Sequence, residues 1–472
     1  MVSNVKSNEK VHRKFGFLDK LAYAAGDFGC NMSFALKGTL AVFWTQFMGI
    51  DSILFAGLLL VVQVWDAIND PLIGTLIDSD TRKYRLGKFR TYILIGSIGL
   101  LFAGALCFVP LENAPSMAKN IIFIAGYVLW DAFYTIANVP YGSMLPLISE
   151  DAGERAQLST WRSIGSMLGN APTLLLLPMF IYDADDNIIG KRVFFVAIIM
   201  GVIGFLSFQF MIRNTVERVD VSVTCKEDTP KFNFFKAVGN FGRNRAALGA
   251  TLAAVAVFVG TYGAQTAATV MFQSYFHSAK LSGILTVMGY LPMFFFMPFI
   301  KKIVAKWGKK EASAITSIIS IVACVAMIFL PITPDKKGIL VFFIIQFISG
   351  LGQGVYQCVS YSMMADAIDY NEWRHGAREE GTIYALHSFF RKLAQGVGPS
   401  LGLVLATWLG YVAENKADQT PEVAKNMLYL YIAMNLISAV LKWVSVALIY
   451  NIDKKTLAQM QSELNERRSS NS

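Results

Sequence analysis

Apolar stretches of about 20 residues recur along this chain, separated by short polar breaks. They lie near 18–47, 52–77, 91–110, 120–147, 157–182, 193–213, 245–273, 280–303, 312–331, 338–367, 381–413 and 426–450. A helix of that length crosses the hydrocarbon core of a bilayer, so the pattern predicts an all-α integral membrane protein with twelve transmembrane helices. The longest polar interruption, 214–244, falls after the sixth run. It divides the chain into a six-helix half over 1–213, a linker over 214–244, and a second six-helix half with a tail over 245–472. The residues up to Lys20 are polar and basic, so no cleavable signal peptide is expected.

Composition agrees with the periodicity. Hydrophobic residues make up 54% and charged residues 16% of 472 positions, and mean hydropathy is +0.46, which no ordinary soluble domain shares. Lys and Arg concentrate in alternate loops: about 28 lie in the amino terminus, the even-numbered loops and the tail, against about 8 in the odd-numbered loops. That bias predicts a multi-pass protein of the cell (inner) membrane with both termini cytoplasmic. It also accounts for the net charge of +9 through topology and anionic lipid, without a nucleic-acid partner. Cys30, Cys107, Cys225, Cys324 and Cys358 are scattered, with neither a disulfide framework nor metal-ligand spacing.

Candidate chemistry sits where polar groups interrupt apolar runs. In the second run, Trp65-Asp66-Ala67-Ile68-Asn69-Asp70-Pro71 sets two carboxylates on one helix face, four residues apart, with an amide between them. Two carboxylates in a poorly solvated place repel, so this face is expected to hold a proton, Na⁺ or a basic partner. Lys37 lies inside the first run, where a charge costs about 2.5 to 3.5 kcal/mol on insertion scales. It either faces a cavity, where it binds an anion or pairs with a carboxylate, or snorkels to the interface. His387 is a proton relay or a packed polar residue. Asp366, Asp369 and Glu372 end the tenth run near Arg374, Arg378 and Arg391, as a gate network or as solvated helix ends. Met293-Phe294-Phe295-Phe296-Met297 reads as lipid-facing or packing surface.

Each half also repeats a loop. Leu86-Gly87-Lys88-Phe89-Arg90 follows the second run and Lys306-Trp307-Gly308-Lys309-Lys310 follows the eighth, a sign of internal duplication. Together with Gly74-Thr75-Leu76-Ile77-Asp78, the first loop resembles that of the major facilitator superfamily. The closer resemblance is to its glycoside-pentoside-hexuronide:cation symporters, the melibiose and glucuronide carriers. It rests on Tyr23-Ala24-Ala25-Gly26-Asp27-Phe28-Gly29, on Trp65 to Pro71, on Asn138-Val139-Pro140-Tyr141-Gly142, and on Ala365 to Trp373 leading to Glu380-Gly381-Thr382-Ile383-Tyr384, blocks that span both halves.

The resemblance implies the major facilitator fold and a coupling-cation site at Asp66, Asn69, Asp70 and Thr135, with Asp66 and Asp70 as ligands if the ion is Na⁺ rather than H⁺. It implies no other cofactor. Lys392, matching a family lysine on helix eleven, is expected near that site. For the sugar it implies Asn31 and Asn138, where melibiose carriers have carboxylates, together with Arg162, Tyr134 and Lys392; Gly142 stands where those carriers have an aromatic residue. The missing carboxylates argue against a melibiose-like galactoside and for the glucuronide and xyloside branch. Asp27 then reads as an acidic sugar or coupling residue, or as a helix cap, and Lys37 joins the substrate candidates.

The expected function is import of a glycoside, a hexuronide or pentoside, coupled to Na⁺ or H⁺ by alternating access, by a monomer in contact with small-molecule substrate and bilayer. The alternatives are a cation-coupled lysolipid carrier of the same fold and a non-transporting nutrient sensor. No nucleophile-base pair or metal cluster suggests an enzyme.

Overall fold

The computed structural model describes residues 13–80, 82, 84–149, 152–218, 239, 241–375 and 380–470. Its long helices are α1 (Phe17–Ala35), α2 (Ser52–Ser79), α3 (Lys88–Leu106), α4 (Ser116–Ser143), α5 (Ala152–Ile181), α6 (Gly190–Asn214), α7 (Arg245–Ser274), α8 (Ser282–Phe296), α9 (Lys309–Phe329), α10 (Lys336–His375), α11 (Glu380–Trp408), α12 (Pro421–Val444) and α13 (Lys454–Ser470). Nine helical spans among the described residues are long and apolar enough to cross a membrane. The linker expected over 214–244 lies largely outside the described residues.

The helix starts follow from local chemistry. The Asp51 carboxylate accepts from the Leu54 N–H and opens α2, Asn244 does the same with Ala247 for α7, and Thr420 with Pro421 opens α12. The two repeated loops adopt one conformation. Gly87 (φ 90°) and Gly308 (φ 95°) cap α3 and α9 in a region that side-chain-bearing residues avoid, so the glycine in each loop is a backbone requirement. The first apolar run is not one regular helix. After α1 the chain passes through a 3₁₀ turn at Leu36–Thr39, where the Thr39 hydroxyl donates back to the Leu36 carbonyl, and then a π-turn at Phe43–Phe47.

Helix packing repeats with an offset of six. α1 packs on α5 and α6 as α7 packs on α11 and α12; α3 packs on α4 and α6 as α9 packs on α10 and α12; α2 packs on α4 as α8 packs on α10. The two sets meet where α2 touches α11 and α5 touches α8. Both contacts are glycine-dependent. A Cβ on Gly396 would stand 2.3 Å from the Gln63 Cβ, and one on Gly283 would stand 2.5 Å from the Leu175 carbonyl oxygen. Large apolar side chains such as Phe102, Leu206, Val322 and Phe329 point outward, as a bilayer solvent requires. Phe294, Phe295 and Met297 of the phenylalanine-rich run are exposed in the same way.

A last helix was not foreseen. α13 lies beyond the apolar runs, buries Met460 and Leu464, and accepts a 2.7 Å hydrogen bond from the Trp373 indole through Glu463.

Candidate functional site

A cavity of about 470 Å³ lies between the two sets of helices, within the usual range for small-molecule sites. α1 and the turns after it contribute Phe34, Lys37, Gly38 and Thr45; α2 contributes Gln63 and Asp66; α4 Tyr127; α5 Asn170. The other side is rich in amides and hydroxyls: Thr261, Gln265, Thr266 and Thr269 on α7, Gln346, Gln353, Gln357 and Tyr361 on α10, His387, Arg391 and Gln395 on α11, and Asn435 on α12. The buried carbonyl oxygens of Gln346 and Gln357 on this side and of Asn170 opposite have no hydrogen-bond partner among the described residues, so the lining holds acceptors that only a polar occupant or water satisfies.

On the α2 side, one charge cluster gathers residues from four helices. Asp66 lies 3.6 Å from the Lys37 ammonium through Oδ2 and 3.6 Å from the Lys392 ammonium through Oδ1. Lys37 is also caged by aromatic rings, with its nitrogen 4.8 Å from the Phe34 centroid, 5.1 Å from Tyr127 and 5.8 Å from Trp130. Lys37 therefore faces the cavity and pairs with a carboxylate, one of the outcomes open from sequence. Behind it, the Asn69 amide donates to Asp131 Oδ2 at 3.1 Å and to Thr135 Oγ1 at 3.3 Å, and all three are nearly fully buried. The side chain of Asp70 lies outside the described residues.

The remaining sugar candidates form a second cluster between α1, α4 and α5. Arg162 pairs with Asp27 at 3.4 Å and lies 4.9 Å over the Tyr141 ring. Asn31 donates to the Asp27 carbonyl at 2.9 Å and receives a 3.5 Å hydrogen bond from Asn170 of the cavity wall. Asn138 accepts from the Cys30 thiol at 3.8 Å, and Tyr134 lines a small side pocket with Lys37 and Asp131. Of the residues named from sequence, Lys37 and Asp66 line the main cavity directly; Asp27, Asn31 and Arg162 reach it through Asn170. Asp27 is a buried ion-pair partner here rather than a helix cap.

Asp131 and the α10 glutamines were missed, although a signal existed. Asp131 is a carboxylate inside an apolar run one turn before Thr135, and Gln346, Gln353 and Gln357 recur at helical spacing in the tenth run. His387 is buried, with Nδ1 2.9 Å from the Thr251 hydroxyl, and it borders the cavity. Asp366 pairs with Lys309 at 2.6 Å, a partner on α9 that the sequence reading did not consider, while Arg391 turns into the cavity; Arg378 lies outside the described residues.

Beside the cavity, next to the lining residues Thr45 and Tyr411, lies a buried polar network. Gln46 donates to Gln273 Oε1 and to the Tyr411 hydroxyl, both at 2.9 Å, and Gln273 donates to the Asp186 carbonyl at 3.1 Å. Asp186 in turn accepts from the Ala279 N–H at 2.9 Å through its side chain. Gln46 and Asp186 belong to the first half of the chain and Gln273 and Tyr411 to the second, so the network ties the two halves together.

Residues 22–454 match the family described as MFS/sugar transport protein. The chain belongs to that family. Among its relatives, it is 28% identical over 460 residues to the isoprimeverose transporter of Lactiplantibacillus pentosus, covering 94% of this chain and 91% of the relative. It is 25% identical over 405 residues to the glucuronide carrier protein homolog of Escherichia coli (strain K12), covering 85% and 86%. The crystal structure of a D-xylose-proton symporter matches the fold with a TM-score of 0.58 at 16% identity, over 90% of this chain and 96% of that one. Members of this family are membrane transporters, and this chain is a multi-pass membrane transporter of the sugar-transport type, not an enzyme.

Proposed function

We propose that this protein is a secondary active transporter that imports a glycoside, a hexuronide or a pentoside such as a xyloside, coupled to Na⁺ or H⁺. The observation that carries the reading is the cavity between the two helix sets, polar on its α7, α10 and α11 wall and bordered by the Asp66 cluster. The amides and hydroxyls of that wall offer the donors and acceptors that a sugar's hydroxyls need. The names of the isoprimeverose and glucuronide relatives support the same substrate range.

In this reading the halves 1–213 and 245–472 rock about the α2–α11 and α5–α8 contacts, and the Gln46 network locks them together in the state described. Asp66, Asn69, Asp70 and Thr135 form the coupling-cation region, to which Asp131 and Lys37 are joined in this chain. Substrate binding involves Asn31, Tyr134, Asn138 and Arg162 through the α1–α5 cluster, with Asp27, Lys37 and Lys392 setting its charge. The protein works as a monomer in the inner membrane with both termini cytoplasmic, the orientation given by the loop charges. Bound cation favours sugar, and sugar then tightens cation binding by the same factor.

The test is uptake of a labelled aryl β-glucuronide and a labelled xyloside into energised vesicles, with and without imposed Na⁺ or proton gradients. Accumulation above the equilibrium level that collapses with one of the gradients is the expected result. Equilibration without accumulation under either gradient refutes coupling, and absence of flux for both sugars refutes the substrate class.

A further inference from the structure

The cationic groups around the cavity are not equivalent. Arg162 is engaged by Asp27 at 3.4 Å, and Lys37 and Lys392 are both engaged by Asp66 at 3.6 Å. Arg391 lines the cavity and has no ion-pair partner among the described residues. Its guanidinium is held by aromatic groups, with its central carbon 5.7 Å from both the Phe258 and the Tyr361 ring centroids. Its one hydrogen bond among the described residues runs from Nη1 to the Tyr361 hydroxyl at 2.5 Å, and Nε makes none.

That division of labour has a chemical meaning. A guanidinium binds an oxyanion side-on through two parallel N–H groups, and the Nε and Nη2 edge is one such fork. Here Tyr361 occupies Nη1, on the other side of the group, while Nε is buried with no acceptor among the described residues, so its N–H is left for an occupant to satisfy. The charge balance of the wall points the same way. Asp66 is the one carboxylate among the described residues that line the cavity, and two lysines already face it, so Arg391 adds a positive charge that the protein does not offset.

We infer that Arg391 is the residue by which this carrier reads an oxyanion group on its substrate, the carboxylate or sulfonate of an acidic glycoside, through its Nε–Nη2 edge. The inference deepens the proposed function and rests on it: Arg391 selects acidic over neutral members of the glycoside class. Arg162 and Lys392 keep their places in the proposed substrate region, but their charges are already paired by Asp27 and Asp66.

The experiment measures binding of two probes to the purified full-length carrier in lipid nanodiscs: 4-nitrophenyl β-glucuronide and its neutral counterpart, 4-nitrophenyl β-glucoside. The intact protein is expected to bind the acidic probe at least tenfold more tightly. Arg391→Gln is expected to remove that preference, bringing the ratio to within twofold, and a thermal unfolding midpoint within a few degrees of the parent reports that the variant is folded. Arg391→Lys keeps a charge but not the fork and is expected to retain an intermediate preference. A preference for the acidic probe that survives Arg391→Gln overturns the inference, as does equal binding of both probes by the intact protein; in either case the glycoside reading stands. Failure of the intact protein to bind either probe overturns the inference alone, and the vesicle uptake assay with the xyloside then decides whether the glycoside reading stands.

Discussion

Lys37 is the residue whose removal tests the charge cluster most directly. Its ammonium stands 3.6 Å from Asp66 Oδ2, and both side chains are mostly buried, at 19% and 14% exposure. At an effective dielectric of about 20, two unit charges at that distance attract by about 5 kcal/mol, a gross figure before desolvation. Lys392, also at 3.6 Å, still neutralises Asp66 after Lys37→Met, so the variant does not leave an isolated buried carboxylate. Methionine also retains the packing of the aliphatic stem against Phe34, Tyr127 and Trp130, and folding is expected to survive. What changes is competition. An incoming cation at Asp66 must displace or repel Lys37, and removing it returns a fraction of the gross attraction, about 1.4 to 2.8 kcal/mol after screening, or a tenfold to hundredfold gain in cation affinity. The assay is the Na⁺ concentration, and separately the external pH, that gives half-maximal glycoside uptake in vesicles. For the coupling ion, half-saturation moves to at least tenfold lower activity in Lys37→Met. A half-saturation value within twofold of the parent for both ions refutes the claim that Lys37 competes at Asp66.

Three other outcomes follow from the geometry. Arg162→Gln leaves Asp27 unpaired in a buried site and is expected to cost about 2 kcal/mol, below the range for fully buried pairs because the Arg162 side chain is 36% exposed; adding Asp27→Asn should recover most of it, and a double-mutant cycle in denaturant unfolding that shows strict additivity contradicts the pairing. Gln46→Ala leaves Gln273 and Tyr411 short of a buried partner, at about 1 to 3 kcal/mol, and is expected to speed labelling of a cysteine at Thr45 by an impermeant thiol reagent applied at the Gln46 face; unchanged labelling shows that the network is no lock. Outside the membrane, the hydroxyls of Tyr84 and Tyr92 and the Arg82 N–H hold the Asp80 carboxyl down at about 2, against an ordinary 3.8. A depressed carboxyl contributes its stabilisation in full above about pH 4 and loses it as pH falls through about 2. Asp80→Asn should therefore raise hydrogen exchange at Tyr84 to Gly87 equally at pH 5 and pH 8; an effect present at pH 8 and absent at pH 5 would contradict this assignment.

Much of the helix architecture was legible because a bilayer imposes a length and a polarity on every spanning segment. The ends of α3, α9 and α12 fall within a few residues of the apolar runs, and the Gly87 and Gly308 loops carry the same positive φ that their repeated sequence suggested. α13 escaped notice because its burial comes from a few side chains on a largely polar helix, which leaves no apolar run to read. The break after α1 escaped for a different reason: a 3₁₀ or π-turn within an apolar run leaves the hydropathy unchanged.

For the site, sequence and the family resemblance identified residue types that a membrane segment does not tolerate without a reason, and Asp66, Asn69 and Lys37 do converge near one wall. Partnership was not legible. Whether Lys37 meets Asp66 or lipid depends on how the turn after α1 is set against α2, and that turn, α2, α4 and α11 contribute to one cluster from residues 37, 66, 131 and 392. The network at 46, 186, 273 and 411 has no sequence signature at all, since polar residues at the ends of apolar runs look like ordinary interface residues. By itself the sequence determined an all-α membrane protein of many spans, nine of which qualify among the described residues, together with the basic loops and the repeated loop turns, because these follow from local composition and the thickness of the bilayer. Only the tertiary structure decided which charges neutralise one another and which one, Arg391, is left facing the cavity, because that depends on distances of a few ångströms between helices far apart in the chain.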